Sequence, residues 1–361
     1  IMSKQFCVSV IVPFYNAESH IKKCLDVLLN QDFIKPFEII MVDDASTDNS
    51  QNIIKKQNSP LIKLYSLPSN TGPSAARNVG LKIAKGDYVF FFDADDTIST
   101  SILKTLYSHA KENDFDLVFS DKKRIEKSQN QRENIFVYPT DKTFGNSDIT
   151  EEIKKRIYDP LYMQGLMGLT GRLIKRSIIN QNNLSFEEGL RYLEDEVFSW
   201  DTLAYCKKAK YIRKQLYSHY INPNVSSALS EGINRGFSVS NFKLAKEHVQ
   251  NCFKNRGLSI QETEKLADQA FIYFVINALI SYSRSIILGK VDLENGKDCR
   301  KKLIKDILKD PDVSKAIRNY SCSKNENPWI PRAITWKFHK LLEFAYNKRA
   351  KEILSIRRRN K

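Results

Sequence analysis

Two acidic clusters stand directly after apolar runs in the first hundred residues, and their placement constrains the fold more than any other feature. Residues 43–44 follow the run 38–42, and residues 93–96 follow the run 88–92. Segments with apolar residues at helical spacing separate such runs. Continuous apolar strands that alternate with helices are typical of a parallel sheet covered by helices on both faces.

The pattern predicts an α/β fold of the Rossmann-like kind, with a mixed, mainly parallel sheet flanked by helices and a C-terminal helical region. The Gly- and Met-rich stretch 165–171 is predicted to be a loop, and the boundary between domains 1–230 and 231–361 is placed near 228–232. A polar stretch is predicted around 127–134. Strands are predicted at 7–13, 38–42, 61–67, 88–92, 117–119 and 216–220.

The acidic clusters also indicate chemistry. Ligands of open α/β sheets collect outside the carboxyl ends of the strands, and both clusters stand at such ends. Five carboxylates at one edge repel one another unless a cation or donor groups lie between them. A hard divalent ion completed by substrate phosphates meets that requirement. Aspartates also cap turns, but two clusters at neighbouring strand ends favour a site.

Five segments carry a resemblance to a known family. They read VSVIVPFYN at 8–16, VDDASTD at 42–48, NTGPSAARNVG at 70–80, FDADD at 92–96 and EDEVF at 194–198. Each is common alone, but together and in this order the sequence resembles the family 2 glycosyltransferases of the GT-A fold, over about residues 6–225. The resemblance implies an inverting transferase that uses a nucleoside-diphosphate sugar.

The resemblance also implies how the donor is bound. Asp44, with Asp43 beside it, would accept hydrogen bonds from the base and ribose, and Arg77 would lie near the base or diphosphate. Asp93 would contact the ribose, and Asp96 would support Asp95, the implied metal ligand. The positions implied to bind the nucleotide sugar are Pro13, Phe14, Asn16, Asp43, Asp44, Arg77, Asp93 and Asp96.

A metal is implied in the same way. Asp95 would hold Mn²⁺ or Mg²⁺ against the diphosphate, which neutralises charge on the leaving group. His219 stands where the family sometimes places a further metal or diphosphate ligand, although a single His near a strand end is more often structural.

The pair Glu194-Asp195 supplies the implied catalytic residues, with Asp195 as the general base for the acceptor hydroxyl. No enzyme nucleophile is required, so inversion at the anomeric carbon is expected. The alternative interpretation is structural, because an acidic pair that opens a helix is favoured by the helix dipole alone.

Acceptor contacts do not follow from the resemblance. Many relatives carry a Trp-x-Lys-Leu pattern where this chain has Gly168 to Arg172, so those contacts are not transferred. Arg172 or Lys175 near the phosphates is a weaker expectation.

The C-terminal region is basic. The chain has a net charge of +15, and residues 332–361 hold ten Lys or Arg against two Glu, a balance of +8. Aromatic residues alternate with these charges from Trp329 onward, a pattern that fits a helix lying on anionic lipid. A docking helix with a solvated basic face fits equally well, and so does dimerisation. Nucleic-acid binding is not expected, because no nucleic-acid module accompanies the charge.

The same residues bear on other functions. A nucleotidyltransferase is disfavoured because the first strand leads into Pro13-Phe14 rather than a Gly-rich basic loop, and a dehydrogenase because G-x-G-x-x-G is missing. A non-catalytic sugar-nucleotide or membrane-binding scaffold would not need the acidic set intact. No signal peptide or paired cysteines are evident, so a cytoplasmic enzyme, peripheral at the membrane, is expected. Its expected substrates are a UDP-linked donor and a glycan or lipid-linked acceptor of surface polysaccharide synthesis.

Overall fold

The structure is a computed structural model that describes residues 6–126, 136–158, 165–190, 192–221, 237–289, 293–323 and 326–359. It divides into two compact units. The first comprises residues 1–149, 164–189 and 194–223, and the second comprises 150–163, 190–193 and 224–361. The predicted domain boundary near 230 and the predicted polar stretch 127–134 lie outside the described residues.

The first unit is built on one mixed sheet in the order β3-β2-β1-β4-β8-β6-β9-β5, with β7 paired to β9. Its strands are β1 Val8–Phe14, β2 Phe37–Asp43, β3 Ile62–Ser66, β4 Tyr88–Phe91, β5 Thr97–Ile98, β6 Leu117–Glu126, β7 Lys142–Phe144, β8 Arg172–Lys175 and β9 Ala209–Ile221. The helices up to residue 205 are α1 Ile21–Leu29, α2 Ser50–Lys55, α3 Pro73–Ile83, α4 Ile102–Glu112, α5 Asn146–Tyr158, α6 Arg176–Gln181 and α7 Glu194–Tyr205.

The parallel part of the sheet has the architecture that the apolar runs predict. Strands β3, β2, β1 and β4 are parallel neighbours, and Phe14 of β1 pairs in register with Asp43 of β2. Side chains from both faces of these strands are completely buried, among them Val10, Ile11 and Ile40. Burial on both faces explains why the strands lack an alternating pattern. The predicted α/β class is confirmed.

The antiparallel strand β8 was not predicted. It lies between β4 and β6 and is antiparallel to both. Only two apolar residues stand between its charged ends, Arg172 and Lys175, so the segment is too short to show a period. The last long strand, β9, begins at Ala209 rather than at residue 216.

The second unit is helical in its described residues, which confirms the predicted C-terminal helical region. It contains α8 Val239–Asn255, α9 Ile260–Ile287, α10 Leu293–Lys309, α11 Pro311–Ala316, a 3₁₀ turn Ile317–Asn319, α12 Trp329–Thr335 and α13 His339–Arg359.

Helix α9 forms the centre of this second unit. It starts at the N-cap Ser259, whose hydroxyl accepts from the Glu262 amide, and packs against α8 and α13. By length and composition its 28 residues could cross a membrane, whereas the apolar run 270–282 alone is too short. However, 72% of its most apolar window is buried inside the protein, which is typical of a core helix.

Candidate active site

The loops after β1 and β2 are joined by hydrogen bonds at the carboxyl edge of the sheet. The Asn16 amide donates to Ser46 Oγ at 2.9 Å, and the Asn16 side-chain oxygen accepts from the Thr47 amide at 2.8 Å. Asn16 and Ala45 both have left-handed backbone, with φ of 46° and 61°. Asn tolerates this conformation better than most residues. The two loops therefore form one linked edge beside the strand ends.

Phe14, the last residue of β1, and Tyr15, which follows it, have different environments. Phe14 belongs to the hydrophobic core and is 5% exposed, whereas Tyr15 is 48% exposed. Of the two, Tyr15 is thus the ring available to a ligand at this edge. The motif contains both residues, but only the structure distinguishes them, and the implied contact of Pro13, Phe14 and Asn16 with nucleotide stays a prediction.

Asp43 and Asp44 are buried and hold the backbone of this edge. Asp43 accepts from the Ser46 amide and the Gln51 side chain. Asp44 accepts from the amides of Thr71 and Gly72, each at 2.8 Å, in the turn that begins α3. These bonds correspond to the turn-capping alternative. Asp43 is completely buried, so a contact of its carboxylate with base or ribose would require the loop to move and remains a prediction.

Arg77 on α3 joins two acidic segments that lie far apart in the sequence. Its guanidinium donates to Asp93 at 3.1 Å and to Asp195 at 3.0 Å. Arg77 is only 5% exposed, and its guanidinium lies 5.4 Å from the centre of the Phe186 ring. Although burial opposes it, the carboxylates of Asp195 and Asp93 raise the pKa of Arg77. Arg77 therefore stays charged and sets the spacing of the two carboxylates.

Asp96 is buried and engaged by protein donors. It accepts from the Tyr217 hydroxyl at 2.6 Å, the Tyr220 amide at 3.0 Å and His219 Nδ1 at 2.9 Å. With both oxygens occupied and 2% exposure, Asp96 positions Tyr217 and His219. Its implied contact with the donor stays a prediction that this geometry does not favour.

Asp95 is exposed, whereas Asp93 is half-buried and Asp96 is buried. Partial desolvation at the sheet edge, followed by repulsion from Asp93 and Asp96, raises the pKa of Asp95 to about 6. A carboxylate under this repulsion gains from a nearby cation. Asp95 thus has the exposure and the electrostatic environment that a metal ligand requires.

His219 offers a second ligand beside Asp95. Its Nδ1 is hydrogen-bonded to Asp96, which leaves Nε2 as the ring nitrogen for a metal, and a carboxylate partner of this kind is common in metal sites. The hydrogen bond to Asp96 raises the pKa of His219, against the effect of burial. Across the described ranges, no group of three or more His, Cys, Asp or Glu could hold a metal by itself. Asp95 and His219 therefore fit an ion whose shell is completed by substrate phosphate and water.

Glu194 and Asp195 open α7, where the helix dipole favours both carboxylates. Burial raises the pKa of Asp195, with Asp93 adding to the effect and Arg77 opposing it. Burial and the Asp195 charge raise the pKa of Glu194 to about 7. Asp195 remains 43% exposed. A partly exposed carboxylate with a raised pKa, fixed by an arginine, is suited to accept a proton from a hydroxyl.

Lys122 of β6 is a charged residue of this edge that the sequence analysis did not identify. Burial, followed by repulsion from Arg172, lowers the pKa of Lys122 to about 7. Nothing in the surrounding segment 117–125 distinguishes this lysine from Lys123 beside it. Its position becomes evident only when β6 lies next to β9 in the sheet.

Arg172 and Lys175, the two residues weakly expected near the phosphates, lie in different places. Arg172 is buried and donates to the carbonyls of Gly165 and Met167, so it holds the loop before β8. For Lys175 the expectation is wrong. Because β8 is antiparallel to β4, Lys175 pairs with Tyr88 at the opposite edge of the sheet, where it binds Asp114.

The fold and the site define an α/β enzyme whose acidic residues lie at the carboxyl edge of a mixed sheet. Residues 9–165 match Glycosyl transferase family 2. These residues form a family 2 glycosyltransferase domain.

Individual relatives agree with this assignment. The chain is 33% identical over 217 residues to the poly(ribitol-phosphate) beta-glucosyltransferase of Bacillus spizizenii. The aligned residues cover 59% of this chain and 32% of that protein. It is 26% identical to the uncharacterized glycosyltransferase YibD of Escherichia coli, over 95% of this chain and 98% of that one. The chain thus spans about a third of the Bacillus enzyme and nearly all of YibD.

The fold matches a solved structure over most of its length. The crystal structure of S. aureus TarS 1–349 superimposes with a TM-score of 0.67, covering 96% of this chain and 92% of that chain at 22% identity. At this identity the match concerns the fold.

Proposed function

We propose that this protein transfers a sugar from a UDP-linked donor to a hydroxyl of a surface glycan, lipid-linked glycan or polyol-phosphate polymer, with inversion. The observation that carries the proposal is the Arg77 bridge between Asp93 and Asp195, beside the exposed pair Asp95 and His219. The names of two relatives support it: one acts on poly(ribitol-phosphate) and another was solved with UDP-GlcNAc.

Asp195 acts as the general base in this proposal. Its carboxylate takes the proton of the acceptor hydroxyl as the oxygen forms a bond to the anomeric carbon. The bond from that carbon to the diphosphate oxygen breaks on the opposite face, and the nucleoside diphosphate leaves with the electron pair. Arg77 keeps Asp195 oriented and, together with Lys122, opposes the rise of its pKa.

Asp95 and His219 would hold Mn²⁺ or Mg²⁺. When bound, the ion neutralises negative charge on the leaving diphosphate. The raised pKa of Asp95, about 6, has a consequence for this site. Because both ligands must be deprotonated, and the pKa of His219 is raised as well, metal affinity is expected to be full only above the titration of His219 and to fall as the pH drops through the titrations of His219 and Asp95.

The test of donor and metal is thermal unfolding with UDP, GDP, CDP or dTDP, each with Mn²⁺ or with EDTA. A ligand that binds only the folded state, at about a hundred times its Kd, adds about 2.7 kcal/mol. We expect UDP with Mn²⁺ to stabilise wild type, and the effect to disappear with EDTA and in Asp95→Ala.

Asp26→Ala is the matched control, because Asp26 lies on the surface in a pair with Lys22 whose side chains are 50% and 70% exposed. It should respond to UDP as wild type does. Stabilisation by UDP that is equal in EDTA would contradict the metal role of Asp95. Release of pyrophosphate instead of UDP during turnover would contradict sugar transfer.

The proposal extends to location: a cytoplasmic protein that contacts the anionic face of a membrane through residues 329–361. Four large apolar side chains of α12, α13 and the turn between them are about half exposed or more: Trp329 46%, Trp336 59%, Phe338 53% and Phe344 64%. Arg332 lies 5.1 Å from the centre of the Trp329 ring, so charge and aromatic surface occur together. Aromatic residues with basic neighbours are suited to the interface of anionic lipid.

Vesicle sedimentation tests this surface. We expect binding to vesicles that contain phosphatidylglycerol but not to pure phosphatidylcholine, and a loss of at least about tenfold in the double variant Trp336→Ser/Phe338→Ser. Ile260→Ser is the control, because Ile260 is 82% exposed on α9 beside acidic residues. Unchanged binding of the double variant would overturn the proposal. A concentration-dependent mass that the double variant abolishes, without lipid binding, would assign the surface to dimerisation.

A further inference from the structure

Lys122 is a cation at the active-site edge that the proposed mechanism uses only indirectly. It lies on β6 opposite Tyr217 of β9, and its ammonium is 5.9 Å from the centre of the Tyr217 ring. The ammonium donates to Thr170 Oγ1 at 2.8 Å. Among the described residues this neutral hydroxyl is its one side-chain acceptor, and no carboxylate lies within ion-pair distance.

The loop before β8 packs against the end of this side chain through two glycines. Gly168 and Gly171 have φ of +115° and +71°, which side chains rarely adopt. A Cβ at Gly168 would lie 3.7 Å from Lys122 Nζ, and a Cβ at Gly171 would lie 3.6 Å from Lys122 Cε. Two glycines therefore line the end of the lysine side chain, and a side chain at either position would press on Arg172, Tyr217 or Lys122 itself.

The charges around Lys122 are unbalanced. Arg172 repels it, while the carboxylates of Asp195, Asp93 and Asp96 attract it without direct contact. Burial lowers the pKa of Lys122 to about 7 because the ammonium loses water and gains no close anion. A bound anion would supply the missing charge and the acceptors for its remaining donors.

We propose that Lys122, held by Thr170 and enclosed by Gly168 and Gly171, binds a phosphate of the donor's diphosphate. The inference rests on the proposed function, which places a nucleoside diphosphate at this edge in every turnover. Lysine recognises phosphate as a point charge. The subsite would oppose the charge that develops on the leaving diphosphate.

The test compares binding of a nucleoside diphosphate and its parent nucleoside to the full chain by calorimetry in Mn²⁺. The diphosphate is the one that wild type binds most tightly among UDP, GDP, CDP and dTDP. We expect Lys122→Met to weaken diphosphate binding roughly 10- to 100-fold, the range of a lost charge-assisted hydrogen bond. Binding of the nucleoside should not change.

Lys123→Met is the matched control. The same charge is removed one residue further along β6, where the side chain faces the other side of the sheet, so diphosphate affinity should stay at the wild-type value. Thr170→Val keeps the ammonium but removes its anchor, and a smaller loss is expected. It also serves as the test if Lys122→Met does not fold.

The outcomes separate the inference from the function on which it rests. If wild type binds none of the four diphosphates, the proposed function fails. If wild type binds one and Lys122→Met binds it equally well, only the phosphate subsite is overturned. An equal loss for diphosphate and nucleoside would also overturn it, because the effect would then not come from phosphate.

Discussion

Replacing Asp195 by Asn is expected to lower kcat by about 10²- to 10⁴-fold while leaving the Kd for nucleoside diphosphate nearly unchanged. The amide keeps an oxygen that can accept from Arg77, which now donates to Asp195 at 3.0 Å. The Asn side chain cannot take the proton of the acceptor hydroxyl. The loss should therefore fall on the chemical step, and calorimetry with kinetics on the same preparation separates it from binding.

The pH profile gives the same prediction a second readout. Burial raises the pKa of Asp195, and burial together with the Asp195 charge raises the pKa of Glu194 to about 7. A raised pKa means that the base gains its proton at higher pH than a free carboxyl, whose pKa is about 4. We expect kcat/KM of the wild-type enzyme to fall as the pH drops through the titration of this pair. The pH profile of Asp195→Asn should lack the part of this fall that comes from protonation of Asp195.

Glu196→Gln is the control, because Glu196 lies in the same acidic first turn of α7 but does not bind Arg77 in the structure. It should retain most of the wild-type kcat. An Asp195→Asn enzyme that keeps more than about a tenth of wild-type turnover would assign Asp195 to the structure of the helix start, the alternative that the dipole supplies.

The location of the site could be predicted because the geometry of parallel strands is regular. Their carboxyl ends share an edge, so the clusters after β2 and β4 were expected to meet there. What those clusters do individually could not be predicted. The bonds of Asp44 to Thr71 and of Asp96 to Tyr217 form only when distant segments fold together.

The antiparallel part of the sheet cannot be predicted from the sequence pattern, for a physical reason. Strand β8 has four residues and reverses direction between β4 and β6. When a strand reverses direction, the number of residues between a motif and a later residue no longer indicates at which edge of the sheet the later residue lies. For this reason the expectation for Lys175 names the carboxyl edge, whereas the residue lies at the opposite one. Lys122 was missed for a related reason: a lysine on a strand has no periodic signal that separates a site residue from a solvated one.

Replacing Arg77 by Met is expected to destabilise the first unit by about 2–4 kcal/mol. The guanidinium is 5% exposed and makes charge-assisted bonds to Asp93 and Asp195, so its removal leaves two carboxylates facing each other without a cation. Breaking a fully buried pair costs about 3–5 kcal/mol. The side chains of Asp93 and Asp195 are 30% and 43% exposed and keep some water, which places the cost toward the lower end.

Tryptophan fluorescence can follow this unit alone. Of the three tryptophans in the chain, Trp200 is 1% exposed on α7, while Trp329 and Trp336 are exposed in the second unit. In a Trp329→Phe/Trp336→Phe background, the urea transition reports on Trp200. Lys104→Met is the control, since its pair with Asp32 has side chains 62% and 57% exposed and should contribute less than about 1 kcal/mol.

A double-mutant cycle identifies the cause of the Arg77 effect. If Arg77 stabilises the fold by neutralising both carboxylates, Arg77→Met must cost less in the Asp195→Asn background, by about 1 kcal/mol or more. Equal costs in the two backgrounds would mean that Arg77 stabilises through packing against Phe186, and that the spacing of Asp93 and Asp195 does not depend on it. A positive coupling would show that the base and the donor-side carboxylate are held by one shared cation, so that stability and catalysis depend on the same bridge.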